Sequence, residues 1–594
     1  MKIDSDCPVS NDQEVNKTDD AKDEDNSNIV ESESTDKSES DVNNPYAYLK
    51  RDEFTSEKFK IEIRGLPKYY GISELRKLLN DKLKLATNKI KSPRKRSSWL
   101  YVCFRNDEDK LKAIDTITGF KWKGKILKAS DAKPMPDPLV KKRKQNADKE
   151  ECGKKAKFEG TQEERLKNST IPYWNIVYEE QLKMKQEEIK KILTKMGNDL
   201  SHINPDLRKW IDENKKKYDG LPCELWNIRF ANKTEGYRNK CEFTVGKNEE
   251  NGLPTVGFRL GSYVTGFTGV GPVDSLKHIP DRMKVAVKVF EEFVRSSDLE
   301  VFNPEVQTGH FKQLTARMAT TTDQLMLIVG INPQKLPDVK LQTLKTELIT
   351  YFTEGNGKEA NVTSLYYLPI VKRESGQSAP LAEHLYGETH IYETILDLKF
   401  RISPEAFFQV NTEAAEMLYS SAIELANPTL ESTVVDICCG TGTIGLCFAQ
   451  KCGQVLGLEL VPQAIIDAKE NATINHIGNC DFFAGRAEDI LTSVLYRATM
   501  DDVIAIVDPP RAGMHNRAIA QLRKTKKLSK LVYISCDPAA ACNNFVNLGR
   551  PESKTMHGNP LVPVRAVAVD LFPHTKHCEL LIYFERWNQS KNVS

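Results

Sequence analysis

The sequence has no run of about 18 consecutive apolar residues, the length needed to cross a bilayer, so no membrane partner is expected. Its first residues, MKIDSDCPVSNDQEVNKTDD, lack an apolar core and are acidic, which excludes a secretory leader and argues against a transit peptide. A secreted disulfide scaffold is missing too. The 13 cysteines are scattered through the chain, and the adjacent pair Cys438 and Cys439 is a poor candidate for bridging. Reduced thiols, and a place in the cytosol or nucleus, are therefore expected. Charge of one sign does not dominate either, because the net charge is only +2. That balance hides an asymmetry. Residues 1–45 carry 14 acids and 4 bases, whereas residues 57–133 carry 21 bases and 9 acids. The basic block points to a polyanionic partner.

The chain is 39% hydrophobic, enough for ordinary globular cores, and its length predicts several domains. Residues 1–50 read as a disordered acidic tail, because few apolar side chains are available there to offset the entropy of ordering. Residues 57–133 predict a βαββαβ unit, with KIEIRGLP, SWLYVCF and WKGKILKAS as strands and SELRKLLNDKL and EDKLKAIDTI as helices. Residues 134–168 read as a basic linker with KKRK (141–144) and KKAK (154–157), either a solvated connection or a nuclear-import or RNA-contacting segment. Residues 170–400 predict a long amphipathic helix over 176–197, then a strand-rich domain containing NKCEFTVG, TVGFRLG, QLMLIVGI, SLYYLPI and YETILDLKFRIS. From 404 to 587 strands and helices alternate, which predicts a doubly wound parallel sheet with its loops gathered at the strand C-termini.

VVDICCGTGTIG (434–445) places Gly440, Gly442 and Gly445 after a β-branched strand and before a helix, where the backbone must turn tightly and approach a ligand. Glu459 ends the next strand, at the distance in sequence where a carboxylate accepts hydrogen bonds from ribose hydroxyls. A dinucleotide is the rival ligand, but no second comparable half follows; VDPPRAG (507–513) comes instead. Together these segments resemble the S-adenosylmethionine-dependent methyltransferase fold. The resemblance implies that the glycine loop faces the methionine part, Glu459 holds the ribose, and Asp508 stands between cofactor and target.

KLVYISCDPAAACNNF (530–545) ends a strand on Cys536, and CELLIYFER (578–586) begins one at Glu579. In this fold the final strand runs antiparallel beside the fifth, which brings that thiol and that carboxylate together at the cofactor mouth. Methylation at carbon 5 of a pyrimidine needs both: a thiolate to activate the ring by adding to carbon 6, and a base to remove the carbon 5 proton. SPEAFFQVN (403–411), DICCGTGTIG, DPPRAG, SCDPAA and FPHTKHCE, with GYRNKCEF (236–243), are similar to the ordered signature of the tRNA (uracil-5-)-methyltransferase family. The resemblance implies Cys536 as nucleophile, Glu579 as proton acceptor, and Gln409, Glu459 and Asp508 as S-adenosylmethionine contacts. The Gly440–Gly442 loop surrounds them, and Asp436 is the alternative carboxylate for the ribose. Some relatives hold an iron–sulfur cluster through closely spaced cysteines. Cys152, Cys223 and Cys241 are far apart, so no metal or cluster is expected. Cys438 and Thr443 depart from what relatives often carry in the loop.

The 57–133 unit resembles an RNA recognition motif. Trp99 and Tyr101 share a strand face suited to stacking bases, Phe104 stands at the strand end, and Arg94, Lys95 and Arg96 offer phosphate contacts. Glu62 occupies a first-strand position where that motif usually has an aromatic, which removes one platform. The expected partners are tRNA and other structured RNA, and the expected state is a monomer. Two alternatives remain open at this level: an RNA cytosine-5 methyltransferase, although VDPPRAG lacks the second cysteine of those enzymes, and a tRNA-binding chaperone with secondary catalysis.

Overall fold

Near-continuous apolar runs such as TVVDI, VIAIV and LVYIS suit strands covered on both faces. The computed structural model describes residues 46, 49, 55, 57–67, 69–93, 97–135, 160–261, 268–304, 306–371 and 380–587. In it the runs form one sheet: β1 (Ser432–Ile437), β2 (Gln454–Glu459), β3 (Cys480–Ala484), β4 (Asp502–Val507), β5 (Leu528–Ser535), β6 (Leu561–Asp570) and β7 (Glu579–Arg586). The order is β3-β2-β1-β4-β5-β7-β6. Strands β1 to β5 are parallel, and β7 inserts antiparallel between β5 and β6. The strand order reverses between β1 and β4, so the crevice at their C-terminal ends is where an open α/β sheet takes its ligand.

Alternate strand residues feed two cores. Val435, Ile437, Ala505, Val507 and Leu531 face one side, and Val434, Ile504, Ile506, Val532 and Ile534 face the other. Helix Tyr178–Ile203 lays Ile189, Leu193, Met196 and Leu200 on the first side, a stripe at three- and four-residue spacing. Short strands Glu224–Leu225 and Arg229–Phe230 then extend the sheet beside β6. The stretch from 178 to 230 thus packs with the C-terminal sheet, which corrects its grouping with the strand-rich unit in the 170–400 domain. An amphipathic stripe announces a buried face without naming what covers it.

The strand-rich unit is a seven-stranded sheet running from Val270–Pro272 through Lys240–Lys247 and Phe311–Ala319 to Glu383–Gly387. Helices Asp281–Ser296 and Asp338–Thr353 bury their apolar residues in its core. The segment YETILDLKFRIS is a hairpin rather than one strand. Ile391–Ile395 and Leu398–Ile402 pair antiparallel across Leu396 and Asp397, both at positive φ. Leu-Asp is an unusual occupant of such a two-residue turn, where Asn-Gly or Asp-Gly is the common signal. The expected linker over 134–168 is also corrected at its end. Thr161 and Glu164 form a capping box that starts helix Gln162–Thr170, and Leu166 joins the central core.

Residues 57–135 form a sheet ordered Lys89–Lys91, Trp99–Cys103, Lys60–Arg64, Lys128–Asp131, with helices Ile72–Lys77 and Asp107–Ile117 in the βαββαβ sequence. The acidic stretch 1–45, the KKRK and KKAK clusters, and Arg94, Lys95 and Arg96 lie outside the described residues.

Candidate active site

At the C-terminal end of β1 the chain turns tightly into the next helix. Gly442 has φ +78, and a Cβ there would come within 3.1 Å of Ala468 and of the Phe482 ring. Gly440 also lies at positive φ, as does Cys438, an uncommon conformation for a residue with a Cβ. Asp436 is fully buried beneath the loop. One carboxyl oxygen accepts the Gly445 N–H at 2.8 Å, while Oδ1 is buried with no hydrogen-bond partner. Glu459 braces the loop from β2: it accepts the Gly440 N–H at 3.2 Å and the Val461 N–H at 2.9 Å. Asn471, buried on helix Pro462–Ile474, donates to the Thr441 carbonyl at 3.1 Å.

Gln409 is buried in the segment 403–411, which the central sheet pins in place. Asn239 donates to the Gln409 carbonyl at 2.9 Å, and the buried Arg317 guanidinium donates to the carbonyls of Ser403 and Ala406. Asn411 then caps helix Thr412–Ala426 by accepting the Ala414 N–H.

The second half of the site lies one to three strands away. Ser535–Leu580 is the last pair of the antiparallel ladder, so Cys536 and Glu579 are each the next residue beyond it, within electrostatic reach of one another. Burial, then the charges of Glu579 and Asp508, push the Cys536 thiol up to about 12; Arg511 pulls it back. Glu579 is 3% exposed, and burial together with Asp508 holds its carboxyl well above the usual carboxylate range, again opposed by Arg511. Burial takes Asp508 up to about 7. Asp436 also reaches about 7, through burial and the nearby Asp508 and Glu459, against the Gly445 hydrogen bond. Asp508 therefore lies within electrostatic reach of the loop carboxylate on one side and of Cys536 and Glu579 on the other.

The DPPRAG turn is itself held. Asn544 on helix Pro538–Leu548 accepts the Met514 N–H at 2.6 Å and the Tyr533 hydroxyl at 2.7 Å. Gly513, at φ +72, closes the turn; a Cβ there would come within 2.5 Å of Asn544 Oδ1. The turn also brings a cation, Arg511, to the acid cluster, a residue that the motif alone does not mark as functional. Its position directly after Asp-Pro-Pro was the available signal.

These residues fit a cationic, nucleoside-bearing ligand. Asp436, Glu459, Asp508 and Glu579 gather at one sheet edge, an unpartnered buried carboxyl oxygen lies beneath the glycine loop, and a carboxylate ends β2. No group of three or more metal-ligating side chains occurs among the described residues. The doubly wound sheet with this loop, this acid and the β4 Asp-Pro-Pro is the arrangement of an S-adenosylmethionine-dependent methyltransferase. The family model described as tRNA (Uracil-5-)-methyltransferase matches residues 365–587. The chain is 40% identical to the mouse (Mus musculus) tRNA (uracil-5-)-methyltransferase homolog A over 92% of its own length and 87% of that protein. It is 41% identical to the human (Homo sapiens) homolog A over 91% and 85% of the two lengths. The chain belongs to the tRNA (uracil-5-)-methyltransferase family, and S-adenosylmethionine is its cofactor. A solved structure of the Pyrococcus abyssi tRNA (uracil-54, C5)-methyltransferase with S-adenosyl-L-homocysteine aligns at 23% identity and a TM-score of 0.49, covering 69% of this chain and 83% of that one.

The N-terminal sheet presents a second polar face. Trp99 and Tyr101 are half-buried neighbours with ring centroids 5.2 Å apart in an edge-on arrangement. Lys60 lies 4.7 Å over the Tyr101 ring, and Glu57 ties Lys60 and Lys91 together and accepts the Met135 N–H at 3.2 Å. Glu62 stands opposite Tyr101 in the register and pairs with Arg64. Phe104 is fully buried in the core of this unit, because it has the inward parity of Leu100 and Val102 and not that of Trp99 and Tyr101. It is not available at the end of the stacking face.

Proposed function

We propose that this chain methylates carbon 5 of the T-loop uridine of tRNA, with Cys536 as covalent nucleophile and Glu579 as base. One observation carries the reading: a thiol and a buried carboxyl, each one residue past the last β5–β7 pair, lie within electrostatic reach of each other and of Asp508. When bound, S-adenosylmethionine supplies an electrophilic methyl group on a sulfonium centre. Asp436, Glu459 and the Gly440–Gly442 loop would hold it, together with Gln409. The chain's own work lies on the uracil ring. The Cys536 thiolate adds to carbon 6 and drives electron density to carbon 5, which lets that carbon take the methyl group. Glu579 then removes the carbon 5 proton, the ring double bond reforms, and the thiolate leaves. The thiol must first lose its proton, and any cation settling among these carboxyls lowers its cost of ionisation. The N-terminal end of helix Pro538–Leu548, which begins two residues after Cys536, works in the same direction. The target uridine must be swung out of the folded RNA to reach this pocket.

Glu459→Ala should weaken S-adenosylmethionine binding by about 1–3 kcal/mol, the usual cost of losing charge-assisted hydrogen bonds. The residue both offers ribose acceptors and braces the loop through Gly440. Titration calorimetry checks it; unchanged affinity would move the ribose contact to Asp436.

The 57–133 unit is proposed as an RNA recognition motif that adds affinity and takes no part in the chemistry. Its surplus of bases supports this, since Lys and Arg contacts to phosphate release counterions. Deleting it should weaken tRNA binding and flatten its dependence on salt. Filter binding across a salt series that returns the same affinity and slope for the deleted chain would remove this role.

A further inference from the structure

The eight residues between β6 and β7 deliver Glu579 to the site, and their backbone is held from far away in the chain. Four successive carbonyls each accept a hydrogen bond from a different element. The Leu571 carbonyl takes the Asn411 side-chain amide at 3.1 Å, and that of Phe572 the Lys185 ammonium at 3.0 Å. The Pro573 carbonyl takes the Tyr237 hydroxyl at 3.0 Å, and that of His574 the Tyr173 N–H at 2.9 Å. Gln181 accepts the His574 N–H at 2.9 Å, and its amide reaches the His574 ring and the carbonyls of Tyr173 and Ile176. Lys185 is also buried against Asp570 at 2.7 Å, and Tyr178 donates to the same carboxylate at 3.0 Å. His574 is held at φ +66, a conformation that a loose loop would not keep for a residue with a side chain. Lys185, Gln181, Tyr178 and Tyr173 belong to the segment ahead of the central sheet, and Tyr237 to its entry; all precede the 365–587 stretch that the family model covers.

Ordering a loop so thoroughly costs conformational entropy that ordinary surface connections do not spend. A proton acceptor must lie within hydrogen-bond reach of one carbon, so small displacements of Glu579 matter to proton removal. We infer that Lys185, Gln181 and Tyr237 are positioning residues that hold the β6–β7 loop so that Glu579 meets the carbon 5 proton. This rests on the proposed role of Glu579 as base. Addition by Cys536 depends on β5 and is not carried by this loop. Loosening the anchors therefore slows release of the product more than formation of the covalent, methylated RNA.

Two full-length variants test this. Tyr237→Phe keeps the fully buried ring and removes only the hydroxyl that holds the Pro573 carbonyl. Lys185→Met combined with Asp570→Asn removes the anchor without leaving one buried charge alone. Should the double variant not fold, Tyr237→Phe still tests the same loop. With tRNA and radiolabelled S-adenosylmethionine, multiple-turnover kcat is expected to fall about fivefold or more in Tyr237→Phe, the effect of one lost buried hydrogen bond. The single-turnover rate of methyl incorporation should change less than about twofold, because it precedes proton removal. A labelled protein–RNA adduct resistant to denaturing gels should rise in the variant relative to wild type. A fall of incorporation and turnover together, or wild-type partitioning in a folded variant, overturns the inference. Glu579→Gln run in parallel separates the two readings. If it accumulates no methylated adduct, the base assignment itself is wrong and this inference goes with it; if it does while the anchor variants partition normally, only the anchor role is lost.

Discussion

Cys536→Ala is expected to bind tRNA and S-adenosylmethionine with near-normal affinity and to form neither adduct nor 5-methyluridine. Loss of a covalent nucleophile removes the step that activates the ring, and the expected fall in rate is about 10⁴-fold or more. The structural cost should be small. Cys536 is only partly buried, follows the last β5 residue, and its side chain makes no hydrogen bond that the strand or the Pro538–Leu548 helix depends on; that helix is capped by Asp537. Carbon 5 of uracil is a weak nucleophile in the intact ring, and no arrangement of carboxyls alone makes it a strong one. tRNA carrying 5-fluorouridine at the target gives the complementary test. The wild-type enzyme should become trapped on it as a stable covalent complex, because no base can remove fluorine as a cation, and Cys536→Ala should not. Nucleoside analysis that finds 5-methyluridine made by Cys536→Ala, with no trapping of the wild type, would leave the cysteine as an inert strand end.

The chemistry-bearing half of the chain was legible because its signals are local. VVDICCGTGTIG joins a strand, a glycine turn and a helix within a dozen positions, and Gly442 sits at the positive φ that a tight turn requires, with Ala468 and Phe482 packed where a Cβ would be. The juxtaposition of Cys536 and Glu579 is long-range, yet it follows from topology once β7 is expected between β5 and β6. Elsewhere local signals were weak or ambiguous. Leu396 and Asp397 turn a hairpin without the usual Gly or Asn. Helix Tyr178–Ile203 showed its apolar stripe, but nothing in the stripe chose the C-terminal sheet over the central one. Phe104 is the exception, since its parity with Leu100 and Val102 already places it in the core. The anchors of the β6–β7 loop were invisible for a simpler reason. Lys185 and Asp570 are 385 positions apart, and a lone lysine on an amphipathic helix reads as solvated until its partner is known. Buried ion pairs of this kind reveal themselves only in three dimensions, because burial, not sequence, makes the charge informative.

Glu579→Gln should fail later in the reaction than Cys536→Ala. Glutamine keeps the size of the side chain and can still donate or accept hydrogen bonds, so β7 and its pairing with β5 should persist. What it lacks is the ability to take a proton as a base. Addition by Cys536 and methylation of carbon 5 do not require that ability; elimination does. The variant should therefore show about one methyl group incorporated per enzyme, then turnover slowed by about 10²–10⁴-fold, the usual worth of a positioned general base. Its product should be a methylated tRNA bonded to protein that survives denaturing electrophoresis. The neighbouring carboxyls are not expected to substitute. Asp508 is shared electrostatically between Asp436 and the Cys536–Glu579 pair, whereas the anchored β6–β7 loop leads into Glu579 alone. In the free enzyme burial and Asp508 keep Glu579 protonated well above ordinary carboxylate pKa values, with Arg511 opposing them. A bound cation among the acids makes the ionised form less costly, and only that form can accept the proton. Mass spectrometry of the trapped complex checks the order of events. An adduct on Cys536 carrying the added methyl is the expected species; free 5-methyluridine released at the wild-type rate would show that another group removes the proton.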